Sequence, residues 1–180
     1  MKVREMMVPL ENYATVSEDA TMFDAVVALE KAQREFDQSR YRHRAILVFD
    51  DRKAIVGKVS QLDLLKALEP KFNKVLDTGA ISRTGVSLSY IESLSRKGLS
   101  GKPLDDLCRK AGDLSVKDFM YAPREGEFIE EDADLDEAVR RLVGGQHHSL
   151  LVTREGEIVG VLRLTDVFKL VSERILACKD

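Results

Sequence analysis

The chain has 180 residues, 44% of them hydrophobic and 33% charged, which suits one compact domain or two small units sharing a core. Its 28 Lys and Arg against 31 Asp and Glu leave a net charge of −3, giving no support for generic binding to nucleic acid or acidic membranes. The longest apolar runs are a few residues, far short of the roughly 20 that span a bilayer. Two cysteines, Cys108 and Cys178, make neither a disulfide framework nor a zinc knuckle and fit a reducing cytoplasm.

In chain order, Met1 to Met7 lacks an apolar segment with a small-residue cleavage site, so no signal peptide is expected. Lys2-Val-Arg-Glu-Met-Met-Val-Pro9 matches Val116-Lys-Asp-Phe-Met-Tyr-Ala-Pro123, with Val3 on Val116 and Met7 on Met120, an offset of 113. Thr15-Val-Ser-Glu-Asp-Ala-Thr keeps that offset against Phe128-Ile-Glu-Glu-Asp-Ala-Asp. Val16 and Ile129 are predicted to lie in short strands. Asp19 and Asp132 are expected to cap the helices that follow.

The first helix is predicted from about Ala20 to Phe36, with Met22, Val26, Leu29 and Phe36 on its apolar face. Its counterpart runs from about Ala133 to Leu142, with Leu135, Ala138, Val139 and Leu142 inside and Gly144-Gly145 as its stop. Beyond these helices the offset between His43 and His147 is 104, so the first copy is longer by 113 − 104 = 9 residues.

Next comes a predicted hairpin in each copy. Ala45 to Ser60 and Ser149 to Arg163 each hold two apolar runs about a polar turn, with Gly156 suited to positive φ. Gly57 matches Gly160 and Asp63 matches Asp166, both 103 apart. The closing helices are predicted at Leu62–Leu68 and from Asp166 to about Leu176. Each repeat thus reads strand, helix, strand, strand, helix.

The expected division is residues 1–69, an insertion at 70–114, and residues 115–180. The insertion is predicted to hold helices at Leu88–Lys97 and Leu104–Ala111, packed on the module or forming a partner surface. Gly98-Leu-Ser-Gly-Lys-Pro103 lacks the spacing of a phosphate loop and reads as a connection. Cys108 is expected to be a buried apolar position, not a nucleophile. His147 and His148 are neighbours that a strand would point to opposite faces, so a metal site is not expected. No convergent set of acid, base and nucleophile is visible, and an enzyme is not expected.

These residues together resemble a pair of cystathionine β-synthase (CBS) domains, a Bateman module. The resemblance spans about Val3 to Leu68 and Val116 to Val171. Its carriers are the two Val-x-x-x-Met segments, the Asp-Ala steps at Asp19 and Asp132, and the two Ile-Val-Gly strands with Asp63 and Asp166 after them. It implies an α+β fold of two β-α-β-β-α repeats packed about a pseudo-two-fold axis, with a helical insertion between them.

The resemblance also implies a regulatory module that binds adenosine nucleotides (AMP, ADP or ATP) between the repeats and signals by conformational change. No cofactor is implied, a homodimer is expected, and an effector protein would receive the signal. The alternatives are a structural or protein-interaction module with a vestigial site, or a ligand such as S-adenosylmethionine or a dinucleotide.

By the family pattern, Ser60-Gln-Leu-Asp63 places Asp63 on the ribose hydroxyls and Ser60 on ribose or phosphate. In Arg163-Leu-Thr-Asp166 the acid matches, but Arg163 replaces the hydroxyl residue. A guanidinium there suits a phosphate, or is simply a solvated side chain. Arg42, His43 and Arg44 in one copy and His147 and His148 in the other, at the strand starts, are the basic candidates for phosphate, Arg44 and His148 foremost. Thr15 and Val16 in one repeat, and Phe128 and Ile129 in the other, stand where an adenine slot is expected. Independently of the family, a carboxylate at a helix start accepts hydroxyls well, and the helix N-terminus favours an anion. Ser60-x-x-Asp63 is equally a capping-box pattern.

Overall fold

The computed structural model describes residues 1–36, 39–68 and 104–178. The predicted helix Leu88–Lys97 and the Gly98–Pro103 connection lie outside them. After β1 (Val8–Pro9), the first repeat runs β2 (Thr15–Ser17), α1 (Met22–Glu35), β3 (Ala45–Phe49), β4 (Ile55–Ser60) and α2 (Gln61–Leu68). α3 (Leu104–Ala111) precedes the second repeat, which runs β5 (Phe128–Glu130), α4 (Leu135–Gly145), β6 (Ser149–Arg154), β7 (Glu157–Arg163) and α5 (Leu164–Ala177). In each repeat a parallel pair, β2·β3 or β5·β6, is extended by an antiparallel hairpin, β3·β4 or β6·β7. The β6–β7 turn takes positive φ at Glu155 (52°) and Gly156 (87°), the backbone that a two-residue hairpin of this twist requires.

Three apolar clusters explain why the repeat is doubled. In the first repeat Ile46, Val48 and Val59 pack with Val16, Ala25 and Leu29 of its own strand and helix. In the second, Leu150, Val152 and Leu162 pack with Ile129, Leu135, Ala138 and Leu142. The alternate residues Leu47 and Leu151 point the other way, into a third cluster with Val8, Tyr13 and Val161 that forms the seam. A central strand covered on both faces is apolar throughout, as Ile46-Leu47-Val48 and Leu150-Leu151-Val152 are.

The two Val-x-x-x-Met segments are exchanged between the repeats. Val3 and Arg4 donate backbone hydrogen bonds to the Ala133 and Glu131 carbonyls of the second repeat, both at 3.0 Å. Val116 and Lys117 donate to Ala20 (2.8 Å) and Glu18 (3.2 Å) of the first. β1 pairs with β7, Val8 opposite Val161, and Tyr121 bridges Lys58 at the equivalent place. Each methionine then crosses the glycine of the other repeat's hairpin. A Cβ on Gly57 would lie 2.7 Å from Met120 Sδ, and one on Gly160 would lie 2.6 Å from the Val8 carbonyl oxygen and 3.0 Å from Met7 Sδ. The Met and Gly of the repeated pattern are therefore two sides of one contact.

Several expectations are corrected. Asp19 and Asp132 do not cap helices. Thr21 caps α1, accepting from the Asp24 N–H, while Asp19 pairs with Lys117 and Asp132 with Arg4 across the repeats. On α1 the buried face is Met22, Ala25, Leu29 and Gln33, and Val26 is 42% exposed, because the stripe follows the i, i+3/i+4 rows through Ala25. Gly144 and Gly145 are the last residues of α4, and Gln146 makes the left-handed cap (φ 53°). Cys108 is exposed, since α3 packs through Ala111 on Met22 and Ala67.

Candidate functional site

The two acids of the repeated pattern sit at equivalent places, each in the first turn of the helix that follows a hairpin, and their surroundings differ. At the β4–α2 junction Ser60 and Asp63 form a reciprocal cap. Ser60 N–H and Oγ donate to Asp63 Oδ2 (2.9 and 2.6 Å), and Asp63 N–H donates to Ser60 Oγ (3.2 Å). Both bonds to the carboxylate fall on Oδ2, so Oδ1 is an open acceptor among the described residues. Ser60 lies on the same face of β4 as Lys58, two residues before it. The Lys58 ammonium pairs with the buried Glu127 of the second repeat.

Burial raises the affinity of Glu127 for a proton. Hydrogen bonds from Lys58 and Tyr121, the Lys58 charge and the Arg124 amide outweigh it and hold the carboxyl below its usual range. Asp63 thus stands at a junction where the first repeat, through Lys58 of β4, meets Glu127 of the second. Arg44, opposite this junction, is exposed, and its carbonyl accepts from Gln61 N–H (3.0 Å).

At the β7–α5 junction the acid is already held. Arg163 donates through Nε to Asp166 Oδ2 (2.6 Å) and through Nη2 to Oδ1 (2.7 Å), a bidentate pair with side chains 5% and 6% exposed. Arg40 adds a contact to Oδ2 at 3.1 Å. Arg163 Nη1 donates to the Tyr41 carbonyl (2.7 Å) and lies 3.4 Å from His43 Nδ1. The guanidinium of Arg163 stands 5.1 Å from the Phe36 ring centre, and His43 packs between Phe36 (4.2 Å) and Tyr13 (4.5 Å).

His43, a phosphate candidate by its place at the strand start, is instead fully buried, and its Nε2 has no hydrogen-bond partner among the described residues. Burial, reinforced by the Arg163 charge, lowers its pKa to about 4. Burial likewise pushes the Tyr13 hydroxyl up to about 12, with Arg163 opposing and Asp166 adding to the shift.

The structure sorts the sequence candidates into these two places. Ser60, Asp63 and Arg44 adjoin the first junction, with Phe128 half-buried at the seam beside Glu127. Thr15 is exposed on β2, next to the Tyr13 that flanks the Asp166 cluster. Val16 and Ile129 point into the cores of their own repeats, so only their backbone can meet a ligand. His148 is exposed, and its carbonyl accepts from Leu164 N–H (3.0 Å). Arg163 is neither solvated nor free for a phosphate, because Asp166 and the Tyr41 carbonyl take its donors. Phe36, Arg40 and Tyr41 were not among the sequence candidates. Their signal was the nine-residue surplus of the first copy.

Among the described residues no three His, Cys, Asp or Glu side chains gather as a metal would need, and no helix is long and apolar enough to cross a membrane.

Comparison with known proteins bears on the whole of this architecture. The CBS domain family matches residues 3–70 and again 111–173. A crystal structure of CBSX2 in complex with AMP is 20% identical, covers 96% of this chain and 97% of its own, and superposes with a TM-score of 0.57. CBSX2 from Arabidopsis thaliana, described as a CBS-pair protein, gives 20% identity, 96% and 95% coverage and a TM-score of 0.59. Protein MJ1004 from Methanocaldococcus jannaschii is 23% identical with a TM-score of 0.59. The match covers 96% of this chain but only 60% of MJ1004. At these identities the likeness speaks for the fold alone. Curated protein sequences gave no match. With the family matched twice, in the register of the internal repeat, the chain belongs to the CBS-domain family and carries a tandem pair, a Bateman module.

Proposed function

We propose that the chain is a regulatory sensor that binds an adenosine nucleotide (AMP, ADP or ATP) in the Asp63 cleft and signals by a change of shape. The observation that carries this reading is the open Oδ1 of Asp63 at a helix start, on the side of β4 where Lys58 pairs with Glu127 of the other repeat. A carboxylate with one oxygen tied by its cap and the other open is oriented for the ribose hydroxyls. The dipole at the start of α2 and the exposed Arg44 favour phosphate beside it. The backbone of Phe128–Ile129 supplies the edge against which adenine would lie. The AMP complex of a structural neighbour supports this choice of ligand by analogy. The nucleotide is a ligand, not a cofactor, and no catalytic role is assigned.

The same reading includes a homodimer. α5 exposes Leu164, Phe168, Val171 and Ile175 in one stripe, and α2 exposes Leu62 and Leu65, with Leu65 in register with Phe168. Matching apolar faces on both repeats suit an isologous contact with a second copy. Light scattering of Phe168→Glu should show a smaller species than the parent. An unchanged mass would remove the dimer from the proposal.

A thermal-shift screen tests the ligand. A nucleotide at about 100 times its dissociation constant stabilises the fold by about 2.7 kcal/mol. Asp63→Ala removes a charge-assisted hydrogen bond worth about 1.5–3 kcal/mol, roughly tenfold or more in affinity. If calorimetry found Asp63→Ala binding like the parent, the ribose role would be withdrawn. If no adenine nucleotide shifted the melt, the protein-interaction reading would take its place.

A further inference from the structure

We infer that the Asp166 cleft is closed to ligand by the chain's own side chains, so that each chain takes one nucleotide, at Asp63. This rests on the nucleotide reading above and adds the site count.

Two departures from the repeat carry the inference, and they meet in space. The first is an insertion. α1 begins at Met22 and α4 at Leu135, an offset of 113, whereas His43 and His147 are 104 apart. α4 ends at Gly145, the match of Ala32, and Gln146 matches Arg42, so the nine surplus residues are 33–41. Phe36, Arg40 and Tyr41 belong to this surplus and have no counterpart in the second repeat. The second departure is Arg163, which stands where the first repeat has Ser60.

Arg163 spans the two. Its guanidinium takes both oxygens of Asp166, donates to the Tyr41 carbonyl and lies against the Phe36 ring. Arg40 adds to Asp166 and donates to the Met6 carbonyl (3.1 Å), and Lys169 of α5 donates to the Ser39 carbonyl (3.3 Å). Asp166, buried, already takes contacts from both Arg163 and Arg40, so a ligand hydroxyl could reach it only by opening this buried ionic cluster, and breaking such a cluster is costly. The groove of about 450 Å³ left beside Phe36 and Tyr13 is lined by Glu11 and Glu35 against the already paired Arg40, which disfavours a phosphate. At the Asp63 cleft the match of Tyr13 is Gly126, where an added Cβ would meet only His147 Nε2, at 3.7 Å.

Titration calorimetry of the full chain with AMP, ADP and ATP should give one nucleotide per chain. Asp63→Asn, whose amide can still cap α2, should leave no residual stoichiometric site in a protein whose circular dichroism is unchanged. Two per chain overturns the closure while leaving the nucleotide reading intact, and a full site surviving in Asp63→Asn overturns the closure and the Asp63 placement together. Absence of binding in the parent overturns that reading and the site count together. The closure itself is then decided without nucleotide, by phenylglyoxal modification and peptide mapping. Arg163 should react at least tenfold more slowly than the exposed Arg44, and equal rates would overturn the closed cleft.

Discussion

The Asp63 and Asp166 junctions began as one design and now use the same carboxylate in opposite ways. At Ser60–Asp63 the short hydroxyl lets the acid cap its own helix, so one oxygen is consumed and one is left. At Arg163–Asp166 the longer side chain reaches both oxygens, and α5 starts without a side-chain cap. The first arrangement leaves an exposed helix start with acceptor capacity. In the second, helix capping is given up for a buried ion pair whose guanidinium also ties Tyr41 of one repeat to the last helix of the other. An acid in the repeat pattern is therefore not by itself a ligand site. What decides is whether the neighbour three residues earlier can satisfy it.

The largest expected effect probes the closed side. Arg163→Ala leaves Asp166 buried without its bidentate partner, and breaking such a pair costs about 3–5 kcal/mol. Ser60→Ala at the equivalent place removes only a cap, about 1 kcal/mol. Urea melts of the two variants measure the contrast, and equal losses would show that the junctions are energetically alike.

Second in size is a pH effect specific to the closed side. His43 has its folded pKa lowered to about 4, below its ordinary 6.5. Between those values the unfolded chain binds a proton that the folded chain does not. Stability is therefore full above pH 6.5 and falls as the pH drops toward 4, by at most about 3 kcal/mol. His43→Gln should flatten that limb of the stability profile relative to the parent, and an unaltered slope would place the titration elsewhere.

The crossings of the exchanged segments give a smaller contrast. Gly160→Ala drives a methyl onto the Val8 carbonyl, which is backbone of a paired strand, and should cost about 1–3 kcal/mol. Gly57→Ala meets the flexible Met120 side chain and should cost less. Thermal melts giving the reverse order would contradict the account of the Met–Gly contact. Smallest of all, Lys117→Ala removes an exposed ion pair with Asp19 and should shift the thermal melt least of these variants, and less again in high salt.

Much of the fold was legible in the amino-acid order, because the evidence for it is periodic and local. The offsets of 113 and 103 exposed the doubling, and the Ile-Val-Gly runs exposed the hairpins. The acid-bearing helix starts followed from residue type and spacing. Less legible was anything that depends on which repeat a segment packs against. Asp19 and Asp132 look like caps in one dimension, yet they pair with Lys117 and Arg4 more than ninety residues away. Met7 and Gly160 appear as separate signatures until β1 is laid on β7. The sequence alone determined that two β-α-β-β-α units share one chain, and that each ends in a helix with an acid in its first turn. Only the tertiary structure decided that Phe36, Arg40 and Tyr41 of the first copy gather with Arg163 about Asp166, since the contacts of Arg163 join residues about 120 apart and no local periodicity records such a pairing.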